Sequence, residues 1–177
     1  MKAEQQEVTG TLRDGTQVII RPLLPSDSEL ERAFIMGLSP QSRRFRFLYT
    51  MSAPSPQLLK QLTNLDEATE AAFIALSAEG DSRREVGVAR MSAVGDGRAE
   101  FAVAVSDEWQ HKGLGVLLAK QVIAAARARG IGKLFSIDAS DNHAMQELAA
   151  YLGFERTTNP QDATEVIHTL HLRHGEC

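Results

Sequence analysis

Cysteine is almost absent from this 177-residue chain: the single copy, Cys177, is the last residue. That excludes a disulfide framework and a cysteine metal cluster, and the thiol is too remote in sequence to suggest a covalent route. Equally missing is any uninterrupted apolar run near the ~18 residues that a membrane span needs. The opening MKAEQQEVTG is polar where a signal peptide would be apolar. A cytoplasmic location with no membrane partner is the expectation. There is no basic excess either: 19 Lys and Arg stand against 23 Asp and Glu, a net charge of −4. A polyphosphate backbone would call for the opposite balance, so no nucleic acid partner is expected. Repeats, low-complexity stretches and linkers are lacking too. What remains is ample for one core, since 43% of the residues are apolar and the length is close to the ~150 residues of a typical domain. Residues 1–9 read as a flexible tail, and 10–177 as a single domain.

Period and punctuation then divide the chain. Leu12 to Arg21 reads as a hairpin, with Asp14-Gly15 as its turn and Val18, Ile19 and Ile20 on its second limb. Pro22 ends that strand. Ser26 with Glu29 three residues on reads as a capping box for a helix through Met36, while Ser39-Pro40 and Ser55-Pro56 each pair an N-cap with proline at the first helical position. From Ala71 to Val105 the period becomes that of strands. Gly80-Asp81 and Gly95-Asp96-Gly97 are the turns, which predicts three consecutive antiparallel strands. Leu114, Leu117, Leu118, Val122 and Ala125 share one helical face, and Gly130 is placed to end that helix. Leu134 to Asp138 is a short strand. Met145, Leu148, Ala149 and Leu152 mark another helix stopped by Gly153, and Val166 to Leu172 is a last strand. The expected architecture is a mixed sheet with one internal strand–helix–strand unit.

The chemistry concentrates in Ala99 to Val116, AEFAVAVSDEWQHKGLGV, where a strand enters a polar loop and then the N-terminus of the long helix. Unpaired amides and the positive end of the helix dipole suit an anion there, and Gly113 and Gly115 let a backbone approach closely. One nucleotide reading is a dinucleotide fingerprint with Asp138 on the ribose. It fails on Leu118, which stands where the third glycine is needed, and on the lack of a second mononucleotide half.

The other reading is a resemblance. Gln110-His111-Lys112-Gly113-Leu114-Gly115, followed by Asn142 and then Leu152-Gly153-Phe154, resembles the Q/R-x-x-G-x-G/A loop, the asparagine and the LGF ending of the GNAT acetyltransferase superfamily. LRDGTQVIIRP and AEFAVAV look more narrowly like the bacterial lysine-acetylating GNAT domains, although the acyl-CoA synthetase-like module to which those are fused is not in this chain. The resemblance implies an α/β (α+β) fold with a mixed, mostly antiparallel sheet flanked by helices. It further implies acetyl-CoA as co-substrate, with no metal, and an amine acceptor, either a protein lysine or a small molecule. The pyrophosphate would lie on Gln110, His111, Lys112, Gly113, Leu114, Gly115 and Val116. The pantetheine arm would lie beside Val103, Ala104 and Val105, with Asn142 nearby.

Strand alternation puts Glu100, Ala102 and Ala104 on one face, where small side chains leave room beside a single carboxylate. Glu100 is therefore the expected base, fitted to that task by burial among apolar neighbours. A base is wanted because an amine of pKa near 10.4 is neutral in only about one molecule in 2,500 at pH 7, a cost of about 4–5 kcal/mol. The family's frequent tyrosine acid, four residues before the LGF glycine, is replaced by Ala149, and Tyr151 falls on another helix face, so no general acid is assigned. A catalytically silent acyl-CoA-binding sensor or interaction module is the alternative reading, distinguished by having no need of Glu100. His168, His171 and His174 are read as polar edge positions, Arg43, Arg44 and Arg46 as a solvated helix face, and Asp66, Glu67 and Glu70 as a solvated turn.

Overall fold

The computed structural model describes residues 7–48, 51–78 and 82–172. Its frame is one eight-stranded sheet in the order β1-β2-β3-β4-β5-β6-β8-β7. The first five strands run antiparallel in sequence: β1 (Val8–Thr11), β2 (Gln17–Pro22), β3 (Glu70–Ser77), β4 (Glu85–Gly95) and β5 (Arg98–Val105). The predicted hairpin and meander are therefore present, although the Gly80-Asp81 turn lies outside the described residues. β1 starts two residues before the expected boundary at Gly10, because Val8 and Thr9 pair with Ile20 and Ile19.

After β5 comes the strand–helix–strand unit: α4 (Leu114–Ala128) crosses over and β6 (Lys133–Ala139) returns parallel to β5. The helix forms because Leu114, Leu118, Val122 and Ala126 repeat every four residues, and each is at most 1% exposed. α5 (His143–Leu152) follows, then β7 (Glu155–Thr158) and β8 (Glu165–His171), with β8 lying between β6 and β7. β7 has no sequence signal, since all four of its residues are exposed and none is apolar. Its presence makes β8 an interior strand and corrects the reading of His168 as an edge residue: His168 is 1% exposed.

Helices cover both faces. On one, α4 and α5 enclose a core that includes Phe101, Leu118, Leu134 and Phe154. On the other, α1 (Ser28–Gly37) and α3 (Pro56–Thr63) bury Phe34, Ile35, Leu59, Ile74 and Val88. The short α2 (Pro40–Phe47) has no fully buried residue and lies against β5 and β6. Ser39 and Ser55 cap α2 and α3 as expected, accepting from Ser42 N–H and Leu58 N–H at 3.1 Å each. Ser26 does not cap α1. It lies in a 3-10 turn, Pro25–Asp27, and the N-cap residue Asp27 makes no side-chain bond into α1; its carboxylate turns back instead, accepting Leu24 N–H at 2.7 Å and both Arg21 guanidinium nitrogens at 2.7 and 2.8 Å.

A second charged group lies under α1. Arg90 on β4 reaches Glu31 Oε1 at 3.4 Å and donates to Leu62 O at 3.0 Å. Glu85 stands close by, 2% exposed, its carboxyl held against that of Glu31. Burial, and then the neighbouring Glu31 carboxylate, push the Glu85 carboxyl well above the usual range, against an opposing pull from Arg90.

Candidate active site

β5 and β6 are paired only from Arg98↔Lys133 to Glu100↔Phe135; beyond that the ladder stops while β4 continues beside β5 as far as Val105. The two strands part there, and a cleft of about 570 Å³ opens between them, walled by β5 from Glu100 to Val105, by Ser136 and Asp138 of β6, and by α2. Glu100 stands at the point of parting. It is exposed, which corrects the expectation of a carboxylate buried among apolar neighbours: β5 outlasts its partner at this residue, so nothing packs over the side chain. Ala102 and Ala104 continue its face into the cleft, and Val103 and Val105 pack toward the α4 side.

At the far end, β5 passes through a 3-10 turn at Asp107–Trp109 into the polar loop. Three contacts fix that loop. Trp109 is buried, Gln110 Nε2 donates to Val105 O at 3.1 Å, and Arg13 N–H of the β1–β2 hairpin donates to Lys112 O at 3.0 Å. Lys112 turns its ammonium away to Asp14, at 3.2 Å, and over the Trp109 ring. The Lys112 side chain thus braces the loop, and its backbone is what the loop presents. His111 and Gly113 both adopt positive φ, 62° and 91°, and a β-branched residue at 113 would be strained there.

Gly113 is the N-cap of α4, and no side chain caps this helix start. The amides of Leu114, Gly115 and Val116 precede the first helical bond, which Leu117 N–H makes to Gly113 O at 3.3 Å. A Cβ on Gly115 would come within 3.3 Å of Leu148 Cδ2 of α5. A second groove, of about 290 Å³, runs from this helix start between Arg13, Glu147 and the exposed Tyr151. An uncapped helix start, backbone that only glycine adopts easily, and a continuous groove fit an anion such as the pyrophosphate of CoA. Asn142 borders the cleft on the other side, and its Oδ1 caps α5 by accepting Met145 N–H at 3.1 Å.

Further polar groups on the cleft were not apparent in the sequence. Asp107 accepts from Ser39 N–H and from the Ser39 and Ser42 hydroxyls at 2.9–3.0 Å. Burial pushes its carboxyl up, but these donors prevail and hold it below the usual carboxylate value. Arg44 of α2 pairs with Asp141 at 3.0 Å, and Arg43 donates to Leu38 O, Met51 O and Ser52 O, so neither belongs to a merely solvated face. On the β6 wall, Asp138 Oδ2 accepts the Ser136 hydroxyl at 2.7 Å and stands 2.8 Å from His168 Nδ1. His171 is exposed and lies apart from them, on the edge with Glu155, and His174 falls outside the described residues. Alternation could have put Ser136 and Asp138 on one face, but only the β6–β8 register brings His168 to them. Among the described residues no helix is long and apolar enough to cross a membrane.

Comparison with known proteins agrees with this geometry. Residues 42–154 match the model of the acetyltransferase (GNAT) family. A curated acetyltransferase of Pseudomonas aeruginosa is 43% identical over 163 residues, which is 92% of this chain and 88% of that protein. Among solved structures, the GNAT domain of S. lividans PAT superposes with a TM-score of 0.85 at 23% identity, covering 94% of this chain and 97% of that one. A cAMP-binding acyltransferase from Mycobacterium smegmatis gives 0.65 at 24% identity, and the present chain, 96% of it aligned, spans only 48% of that protein. These two establish likeness of fold; the family match and the Pseudomonas relative extend it to acetyl transfer, and the chain with its parted β5 and β6 belongs to the GNAT acetyltransferase family.

Proposed function

We propose that the protein moves the acetyl group of acetyl-CoA to a primary amine, on a protein lysine or a small molecule, by direct attack within a ternary complex. The observation that carries this reading is the cleft itself, which begins at the exposed Glu100 carboxylate and leads through the adjoining groove to an uncapped helix start. The amides from Gln110 to Val116 hold the pyrophosphate, the β5 edge from Val103 to Val105 lines the pantetheine arm, and Asn142 closes the opposite wall. Acetyl-CoA supplies an acyl group already activated as a thioester. What the chain adds is alignment of the amine and a proton acceptor.

Glu100 is that acceptor. Its exposure supports access to the incoming nitrogen directly or through one water, and it sits where the cleft begins. Removing the ammonium proton there offsets the cost of attacking with an amine that is mostly protonated at neutral pH. Labelled acetyl-CoA offered with a panel of small amines and with a protein lysate tests the reading. Label on amine nitrogen is expected, in proportion to enzyme and time. Hydrolysis of the thioester with no labelled amine, or label retained on the enzyme itself as an acyl intermediate, would overturn it.

A further inference from the structure

The carboxyl groups around the cleft differ in what already occupies them. Asp107 is filled by three donors, Asp141 is paired with Arg44, and Glu100 is open to solvent. Asp138 differs from all three. It is 8% exposed, and its Oδ2 alone meets both Ser136 and His168. Oδ1 accepts nothing from the described residues, yet it is not sealed in, and the residue lines the cleft. A sheltered oxygen, fixed from behind and unmet in front, is a place for a hydrogen-bond donor.

The strand register decides which donor. β5 and β6 run parallel, and Glu100↔Phe135 is their last pair. Carried past the parting, that register sets Ser136 level with Phe101 and Asp138 level with Val103, on the α4 face and opposite to the face of Glu100. Asp138 therefore looks across the gap at Val103 to Val105, the stretch given above to the pantetheine arm, and away from the attacking amine. That arm is uncharged and carries secondary amides, whose N–H groups need acceptors once the arm displaces water from the cleft.

We propose, resting on the acetyl-transfer reading above, that Asp138, held by Ser136 and His168, accepts an amide N–H of the pantetheine arm. β6 then grips the co-substrate from the side opposite β5, and the Ser136–Asp138–His168 cluster serves the cofactor, whereas Glu100 serves the amine on the other face.

The test is a calorimetric titration of the full chain with CoA, which cannot react, and with its nucleotide half, ADP carrying the ribose phosphate, which has no arm. In Asp138→Asn the Ser136 hydroxyl holds the amide oxygen in the place of Oδ2, so an NH2 donor faces the arm where an acceptor stood. The CoA Kd of this variant is expected to rise about tenfold, with the nucleotide Kd within about twofold of the parent. Ser136→Ala, which removes one orienting donor, is expected to raise the CoA Kd about two- to threefold. CoA analogues with an ester in place of one or the other pantetheine amide keep the carbonyl and lack the N–H. With one of them the Asp138→Asn penalty is expected to vanish, a response that a purely structural role would not produce. An equal loss for CoA and for its nucleotide half would overturn the proposal, as would a penalty that survives with both analogues. If Asp138→Asn fails to fold, an unchanged CoA Kd in Ser136→Ala overturns it. A parent chain that binds no CoA overturns this proposal and the acetyl-transfer reading together, whereas parental CoA affinity in folded Asp138→Asn overturns the first and leaves the second standing.

Discussion

Two buried polar clusters face opposite ways through the same sheet. Under α1, Glu31, Glu85 and Arg90 bring two carboxyl groups and one guanidinium into an apolar core, with Glu85 held against Glu31 and Arg90 Nε lacking a hydrogen-bond partner. On the other side of the β5–β6 parting, Ser136, Asp138 and His168 are as deeply placed, but two short hydrogen bonds order them and Asp138 reaches the cleft. The first cluster borders neither the cleft nor the groove beside it. The second is hydrogen-bonded at its back and borders the cleft at its front. Burial by itself does not distinguish the two; access does.

If that contrast is right, changes on the cleft side alter function and spare the fold, and changes under α1 do the reverse. The largest effect is expected from Glu100→Gln: turnover should fall by about 10²–10⁴-fold with acetyl-CoA binding retained. Raising the pH should partly rescue this variant, because more amine then arrives neutral. Near-parental turnover at neutral pH, with chemistry limiting, would remove Glu100 as the base. Next is Arg90→Ala, which strands Glu31 and frees Leu62 O. It should cost about 3–5 kcal/mol of stability by urea unfolding, with the acetyl-CoA Kd of the folded fraction unchanged.

Gly113→Val follows, with CoA affinity falling by about 10- to 100-fold from a side chain forced into the left-handed region beside the anion. An unaltered Kd in a folded variant would show that the loop does not hold the pyrophosphate. The smallest is Glu85→Gln. The folded protein keeps a proton on Glu85 that the unfolded chain releases once pH exceeds the ordinary glutamate range, so stability is greatest below that range and falls as pH rises through it. Removing the need for that proton should raise stability near neutral pH by about 1–3 kcal/mol, or very roughly 2–4 °C in melting temperature per kcal/mol. It should also flatten the slope between pH 5 and 8. A parental slope in this variant would assign the pH dependence elsewhere.

Legibility from sequence followed the range of the interaction. The meander, α4 and α5 announced themselves through local period and through the turn and cap residues that bound them, and the polar loop at Gln110 to Gly115 could be found because its features are consecutive. The expectation for Glu100 rests on a local signal as well, alternation along β5, but its exposure depends on where β6 stops pairing, which no neighbouring residue reports. β7 was missed because Glu155–Thr158 has no buried face to leave a pattern. From that single omission His168 was misread, since a strand between two partners looks the same in sequence as a strand with one. Ser136, Asp138 and His168 meet only through a register joining residues 32 apart, Ser136↔His168. Ser26 does not cap α1 because a 3-10 turn at Pro25–Asp27 delays the helix to Ser28, a turn closed by the Asp27 carboxylate that Arg21, on another element, holds in place.

The short β5–β6 ladder has a mechanical meaning beyond its chemistry. Three residue pairs join these strands, whereas eight join β4 to β5 and seven join β6 to β8. The sheet is thus two panels stitched along a narrow seam at Arg98–Glu100, with α4 packed on the β3–β5 side of it. The seam therefore has the fewest cross-strand hydrogen bonds to hold it. Its backbone amides should exchange with solvent sooner than those of β4 or β8. Opening of the angle between the panels would widen the cleft and pull on the core that Phe101, Leu134 and Phe154 share across the seam.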